Sequence, residues 1–308
     1  MRFGFLGFPK VGKTTLFNLL TGARIAVDKY AGGRAEPNVG VARVPDRRLD
    51  RLAEMFKPKK TTPAHVDFLD IVGLQKGESK DSLYLKEMRN VDAIAHVVRA
   101  FRDPEIVHSE GAIDPRRDIE TMETELILAD LDVAQRRVER LELNLKKAKN
   151  KDDEMELPLV RRCLEALEKE TPIRRLELQD DDMKRLRGFA FLTAKPLLLI
   201  LNLDEADVPR LHEVVDTMGL AELAARPHSA VCPISAKVEE EIAGLEPADA
   251  RAFLEDLGLQ EPARDRLIRS AFDLLGLIQF FTAGEDECRA WPVRAGTRAP
   301  RAAGTIHS

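Results

Sequence analysis

Gly7-Phe8-Pro9-Lys10-Val11-Gly12-Lys13-Thr14 matches the pattern G-x-x-x-x-G-K-[ST], and Thr15 follows it directly. Upstream, Phe3 to Leu6 is a short apolar run that stops at Gly7. Downstream, Leu16, Leu19 and Leu20 open a helical spacing after Thr14. The stretch therefore reads as strand, glycine loop and helix, the setting in which glycines turn successive backbone N–H groups inward around phosphate oxygens at the positive end of a helix. Gly7, Phe8, Pro9, Lys10, Val11, Gly12, Lys13, Thr14 and Thr15 are the expected nucleotide-binding loop. Lys13 reaches the β- and γ-phosphates and assists catalysis, and the Thr14 hydroxyl is a ligand for Mg²⁺.

Three further apolar runs, Val66 to Leu69, Ala93 to Val98 and Pro196 to Leu201, read as buried strands. Near-continuous apolar runs separated by crossovers predict a mainly parallel sheet covered on both faces, an α/β class. Between the third and fourth strands the pattern changes. Ile127, Leu131, Ala134, Val138, Leu141, Leu145 and Ala148 recur at alternating spacings of 4 and 3, an apolar stripe along one long helix. Asn150 to Asp153 break it, and Val160, Cys163, Leu164 and Leu167 form a second stripe that predicts an antiparallel helical hairpin. The expected organisation is an α/β nucleotide domain in two segments, 1–118 and 193–275, a helical coiled-coil insertion at 119–192, and a small unit at 276–308. Two strands of that unit, Leu277 to Thr282 and Arg289 to Val293, join across Ala283 to Glu287. Some 30 residues cannot bury a core alone, so it reads as an incomplete domain.

Composition narrows the classes. The 308 residues are 44% hydrophobic and 33% charged, an ordinary globular balance with a charge-rich surface, and the net charge is −5. Residues 288–308 depart from that balance, with Arg289, Arg294, Arg298 and Arg301 and no acid. Cys163, Cys232 and Cys288 are too few and too scattered for a disulfide framework or a metal cluster, which suits a reducing cytoplasm. No run approaches the ~20 apolar residues of a membrane span, and no membrane association is expected.

Asp70-Ile71-Val72-Gly73 closes the second apolar run. An acid there can hold Mg²⁺ through water, and Gly73 can offer its N–H to a γ-phosphate. At the next position Ras-type GTPases place a water-orienting Gln; this chain has Leu74, which cannot polarise water, so hydrolysis needs another residue. Asn202-Leu203-Asp204-Glu205 stands where a guanine-reading N-K-x-D motif would lie. Leu203 replaces Lys, and the carboxylate of Glu205 is displaced by one methylene, which predicts weak guanine selectivity. Ser235, Ala236 and Lys237 resemble the loop that closes over the base.

With these residues in place, the chain resembles the YchF/Obg-like ATPase family, a translation-factor-related branch of P-loop GTPases. The resemblance runs through Glu36 to Val41, Lys57 to Lys60, Val91 to Val98, Thr124 to Leu131, Leu192 to Pro196 and Phe280 to Glu285. It implies a Ras-like G domain, an inserted helical hairpin and a C-terminal TGS domain of β-grasp type, cut short at Ser308. It also implies ATP as substrate with GTP weaker, Mg²⁺, and association with the ribosome and its rRNA or tRNA. The family's water-polarising histidine corresponds to His108, in the loop Phe101 to His108; His96, in an apolar strand, reads as a hydrogen-bonded core residue.

Departures from the family pattern suggest a divergent paralogue. Lys10 occupies the position of an Asn that is a candidate ligand for activating K⁺, and its ammonium is read as a substitute for that ion. Arg34 replaces a switch-loop Thr, and Gly77 to Leu83 is about four residues shorter than the family's second switch. The leading expectation is a slowly ATP-hydrolysing switch. The alternative is a nucleotide-gated ribosome or RNA adaptor with little hydrolysis, in which Trp291 and the C-terminal arginines stack on bases and contact phosphates. A small-molecule kinase finds no lid or acceptor signature.

Overall fold

The computed structural model describes residues 1–25, 37–71 and 83–306. Gly73, Leu74, Arg34 and the segment 77–82 lie outside the described residues.

The four apolar runs form β1 (Arg2–Leu6), β4 (His65–Asp70), β5 (Ala93–Arg99) and β6 (Leu197–Asn202). With β2 (Asn38–Arg43) and β7 (Ser229–Ile234) they make a six-stranded sheet in the order β2-β4-β1-β5-β6-β7. All its pairings are parallel except that of β2, which runs antiparallel to β4 at the edge. Helix α1 (Lys13–Thr21) leaves the carboxyl end of β1, and buried Leu16, Phe17 and Leu20 hold it to the sheet. Phe3 and Phe5 on β1 stack against Phe68 on β4 with ring centroids 5.7 and 5.5 Å apart, so the central strand pair is locked by aromatic packing as well as by its ladder.

Two short helices, α2 (Arg47–Phe56) and α3 (Leu83–Arg89), precede the long hairpin of α4 (Pro115–Lys147) and α5 (Lys151–Glu168). Asp114 caps α4 by accepting from the Arg117 N–H, and Pro115 supplies a preset first turn. At 33 residues α4 is about 50 Å long and serves two cores. Ile119, Met122, Leu126 and Ala129 pack into the core of the sheet. Ile127, Ala134, Val138 and Leu141 face Leu159, Val160, Cys163 and Leu167 of α5 in a separate cluster. The helix thus begins ahead of the insertion boundary expected at residue 119, and its first turns belong to the sheet.

Asp130 joins the two cores. Fully buried, its carboxylate accepts from the Leu192 and Thr193 N–H groups at 3.1 and 2.7 Å, from the Thr193 hydroxyl at 2.8 Å, and from Arg89 of α3 at 3.0 Å. Burial pushes its pKa up, and these bonds oppose that shift.

The C-terminal unit is a three-stranded sheet of β3 (Lys60–Thr62), β9 (Glu287–Arg294) and β8 (Leu277–Thr282), in the order β3-β9-β8. β8 and β9 are the expected hairpin, and β3 joins them from far upstream, parallel to β9. Cys288, Ala290 and Leu277 turn inward to the main core. On the opposite face Trp291 stacks with Phe280, and Arg289 lies over the indole 4.1 Å from its centre. All three cysteines are free and buried. No helix among the described residues is long and apolar enough to cross a membrane.

Replacing Asp130 by Ala takes the acceptor from three buried donors, the Leu192 and Thr193 N–H groups and the Thr193 hydroxyl, and leaves Arg89 with its bonds to the Ala129 and Ala190 carbonyls. Chemical denaturation should show a loss of about 3–5 kcal/mol, against less than about 0.5 kcal/mol for the exposed Asp181→Ala.

Candidate functional site

The site lies at the carboxyl ends of β1, β4, β5 and β6, where the loops converge. Gly7 and Gly12 take φ values of 142° and 99°, and a Cβ on either would sit 2.3 Å from the Val97 carbonyl or 2.4 Å from the Asn202 side-chain nitrogen. Glycine is required at both positions for the chain to wrap so closely. Within the loop, Phe8 and Val11 turn their side chains into the core and present only backbone, while Pro9 and Lys10 are exposed at the rim. Lys10 has φ 62°, a left-handed conformation that a glycine or asparagine adopts more easily.

Lys13 is buried and curls back, its ammonium donating to the carbonyls of Gly7 at 2.9 Å and Phe8 at 2.7 Å. Burial pulls its pKa down to about 8, with nearby Asp70 opposing the shift. Asp70 at the end of β4 accepts from the Thr14 hydroxyl at 2.9 Å, and burial raises its pKa. The two oxygens expected to serve one cation are therefore adjacent. One carboxylate and one hydroxyl are hard oxygen donors, and Mg²⁺ takes few protein ligands because it keeps waters and substrate phosphates. No cluster of three or more carboxylate, His or Cys ligands occurs among the described residues. The donor set fits Mg²⁺ shared with a nucleotide.

Asn202 ties the base region to this loop. Its side-chain N–H donates to the Val11 carbonyl at 3.0 Å, and its oxygen accepts from the Ala236 N–H at 3.0 Å. Beside it the Ser235 hydroxyl is buried without a hydrogen-bond partner, an orphaned polar group at the mouth of the base region. Leu203 is packed in the core and reaches the site through its neighbours. Glu205 and Lys237 are exposed and paired to each other at 3.1 Å. The carboxylate at the fourth position of the Asn202–Glu205 stretch is thus engaged by a lysine.

His108 is brought near the loop, with its ring 6.1 Å from that of Phe8 in an edge-on arrangement, but its side chain is only 3% exposed. His96 is core, and its pKa falls to about 3, through burial first and then nearby Lys13 and Arg174, so it is neutral. Three residues that the sequence did not single out organise the His108 loop. Arg99, at the end of β5, donates to the carbonyls of Phe101, Asp103 and Ile106. Asp204 accepts from the Arg102 N–H, and Asp118 on α4 lies against His108. A strand-terminal arginine at the end of an otherwise apolar run was the available signal for the first; Asp204 lies inside the Asn202–Glu205 stretch with nothing to tie it to this loop, and Asp118 looks like an ordinary surface acid.

A glycine loop between a buried strand and a helix, a Thr–Asp cation pair and an Asn-anchored base region define a P-loop nucleotide-binding protein of the GTPase fold. The family model described as "50S ribosome-binding GTPase" matches residues 2–156, and the C-terminal YchF GTPase model, described as a protein of unknown function, matches residues 277–308. The chain belongs to the YchF family. It is 43% identical over 309 aligned residues to the protein named "Ribosome-binding ATPase YchF" of Bacillus subtilis and 42% identical over 314 to that of Escherichia coli O157:H7, covering 99% of this chain and 84% of each relative. The solved structure of the Schizosaccharomyces pombe YchF GTPase matches with a TM-score of 0.84 at 30% identity, covering all of this chain and 84% of that one.

Two outcomes follow from the geometry. Asn202→Ala leaves the Val11 carbonyl and the Ala236 N–H without their partner, at about 1–3 kcal/mol each, and should weaken nucleotide binding along with stability in equilibrium titrations and urea melts. Phosphates favour the charged form of Lys13, so binding above pH 8 must take up a proton. Affinity for ATP should fall about tenfold between pH 7 and pH 9, with calorimetry showing uptake near one proton at the higher pH and little at pH 7.

Proposed function

We propose that this chain is a ribosome-associated, translation-related, cytoplasmic P-loop protein that binds ATP and hydrolyses it slowly, with GTP a weaker ligand. The observation that carries this reading is the Thr14–Asp70 pair at the mouth of a loop already closed around Lys13. The relatives' name, ribosome-binding ATPase, supports the partner and the substrate. The pairing of Glu205 with Lys237 supports weak guanine reading, because a carboxylate held by an ammonium is a poor acceptor for the two N–H groups of guanine.

In this reading the loop N–H groups and Lys13 orient the phosphates, Thr14 and Asp70 hold Mg²⁺, and Asn202 with Ser235 to Lys237 frame the base. Bound Mg²⁺ neutralises charge developing on the phosphate oxygens. Lys13 exchanges its two carbonyl partners for phosphate oxygens, and its positive charge stabilises the transition state at the γ-phosphate. His108 supplies the water-orienting group that Leu74 cannot. The outer face of the C-terminal sheet, with Arg289, Trp291 and Phe280, suits contact with ribosomal or transfer RNA, and the unit as a whole reads as part of a TGS domain.

Single-turnover ATP hydrolysis with and without ribosomes tests the reading. Alone, the protein should turn over well below the ~1–100 s⁻¹ of kinases. Ribosomes should accelerate the native protein, and His108→Ala should lose about 10²-fold of the accelerated rate at unchanged ATP affinity. Equal rates for the two proteins would remove His108 from the chemistry, and no hydrolysis in either would leave a nucleotide-gated adaptor.

The Lys10 ammonium is proposed to stand in for K⁺ at the loop rim. Lys10→Asn should then gain stimulation by K⁺ that the native protein lacks, and equal stimulation of both would discard the idea.

A further inference from the structure

One ring nitrogen of His108 is hydrogen-bonded within the protein, and the other is buried against a carboxylate. Nδ1 accepts the Glu110 N–H at 3.1 Å, so the ring proton of the neutral imidazole sits on Nε2. Nε2 lies 2.8 Å from Oδ2 of Asp118, out of line for a hydrogen bond, and neither atom has a hydrogen-bond partner among the described residues. The two side chains are 3% and 2% exposed. In this arrangement no nitrogen of His108 is available to a water at the phosphates.

The contact is built into the start of α4. Oδ1 of Asp118 accepts from Nε and Nη2 of Arg117 at 3.1 and 2.7 Å. The same guanidinium donates to the carbonyls of Glu110 and Ala112, the turn that carries the His108 ring. That turn is closed by the Gly111 N–H on the His108 carbonyl, with Gly111 at φ 84°. On the other side the loop borders an open surface depression of about 430 Å³, lined by Arg99, Arg102, Ile106, Val107, His108 and Ile113.

We propose that Asp118 is a positioning residue that latches His108 away from the nucleotide, so that hydrolysis waits on release of this contact. The inference rests on the reading of His108 as the water-orienting group. Removing the carboxylate frees the ring while leaving the P-loop untouched. Because Asp118 rides on the helix that forms the hairpin, whose far end lies about 44 Å away by helical rise, displacement of the hairpin by a partner is one means of opening the latch.

The test is the rate at which diethyl pyrocarbonate modifies His108, read on its own peptide by mass spectrometry, in the native protein, Asp118→Ala and Asp118→Ser. Native His108 should react slowly, and both variants at least fivefold faster. Ser serves if Ala disturbs folding, since it keeps a polar group in the first turn of α4 but is too short to reach the imidazole. Basal ATP turnover should rise three- to tenfold in these variants at unchanged ATP affinity, and the gain should vanish when His108→Ala is added. An unchanged modification rate in folded variants overturns the latch whatever the turnover, and faster modification with no rise in turnover overturns its role in restraint. The accelerated rate of His108→Ala alone judges the catalytic reading separately, because it does not involve Asp118.

Discussion

The carboxamide of Asn202 spans three segments that are distant in sequence, and the geometry of the site follows from it. One end holds the Val11 carbonyl in the phosphate loop and the other the Ala236 N–H at the start of the helix after β7. Asn202 itself ends β6, paired across the sheet with Arg99 of β5 and Ile234 of β7. Because the amide supplies one donor and one acceptor in opposite directions, a hydrophobic isostere cannot replace it. The requirement for glycine at position 12 comes from the same group, whose nitrogen fills the space a Cβ would need. The glycine loop and the start of the helix after β7 are therefore tied to the end of one strand.

Around that strand end the electrostatics are poised for an anion. Lys13 is held against two carbonyls by burial that disfavours its charge, and Asp70 is buried with a raised pKa beside it. Each is an ionised group disfavoured by burial and only partly offset by the other's charge, an arrangement that a phosphate and a cation would complement. Asp130 is the contrasting case, since burial strains it too but its bonds to Thr193, Leu192 and Arg89 are complete, and it serves structure alone.

Much of this was legible because it is local. The P-loop, β1, β4, β5, β6 and both hairpin stripes each lie within a short window whose apolar spacing states its own geometry. The elements that escaped notice have patterns that mislead. In β2, Val39 and Val41 are 55% and 52% exposed while Gly40 and Ala42 point inward, Gly40 because a Cβ there would strike Phe17 and Thr21. The inward face of that strand is therefore its least hydrophobic one. β7 carries Pro233, which argues against a strand unless it lies at a sheet edge, where β7 does lie. Within the site, the loop and its Thr14–Asp70 pairing were readable from motif chemistry, whereas the environment of His108 was not. Asp118 sits in the first turn of a helix, where an acid is expected for the helix dipole alone, and only the fold brings it to the imidazole.

The pairing of β3 with β9 also bears on how the protein is made. Lys60 to Thr62 leave the ribosome well before Glu287 to Arg289, their ladder partners some 227 residues later. At about 5–20 residues per second that is a wait on the order of ten to forty seconds. During synthesis this three-residue strand follows α2 as an open edge with no partner of its own. Its brevity and its polar sequence, Lys-Thr-Thr, make it a poor template for a passing chain.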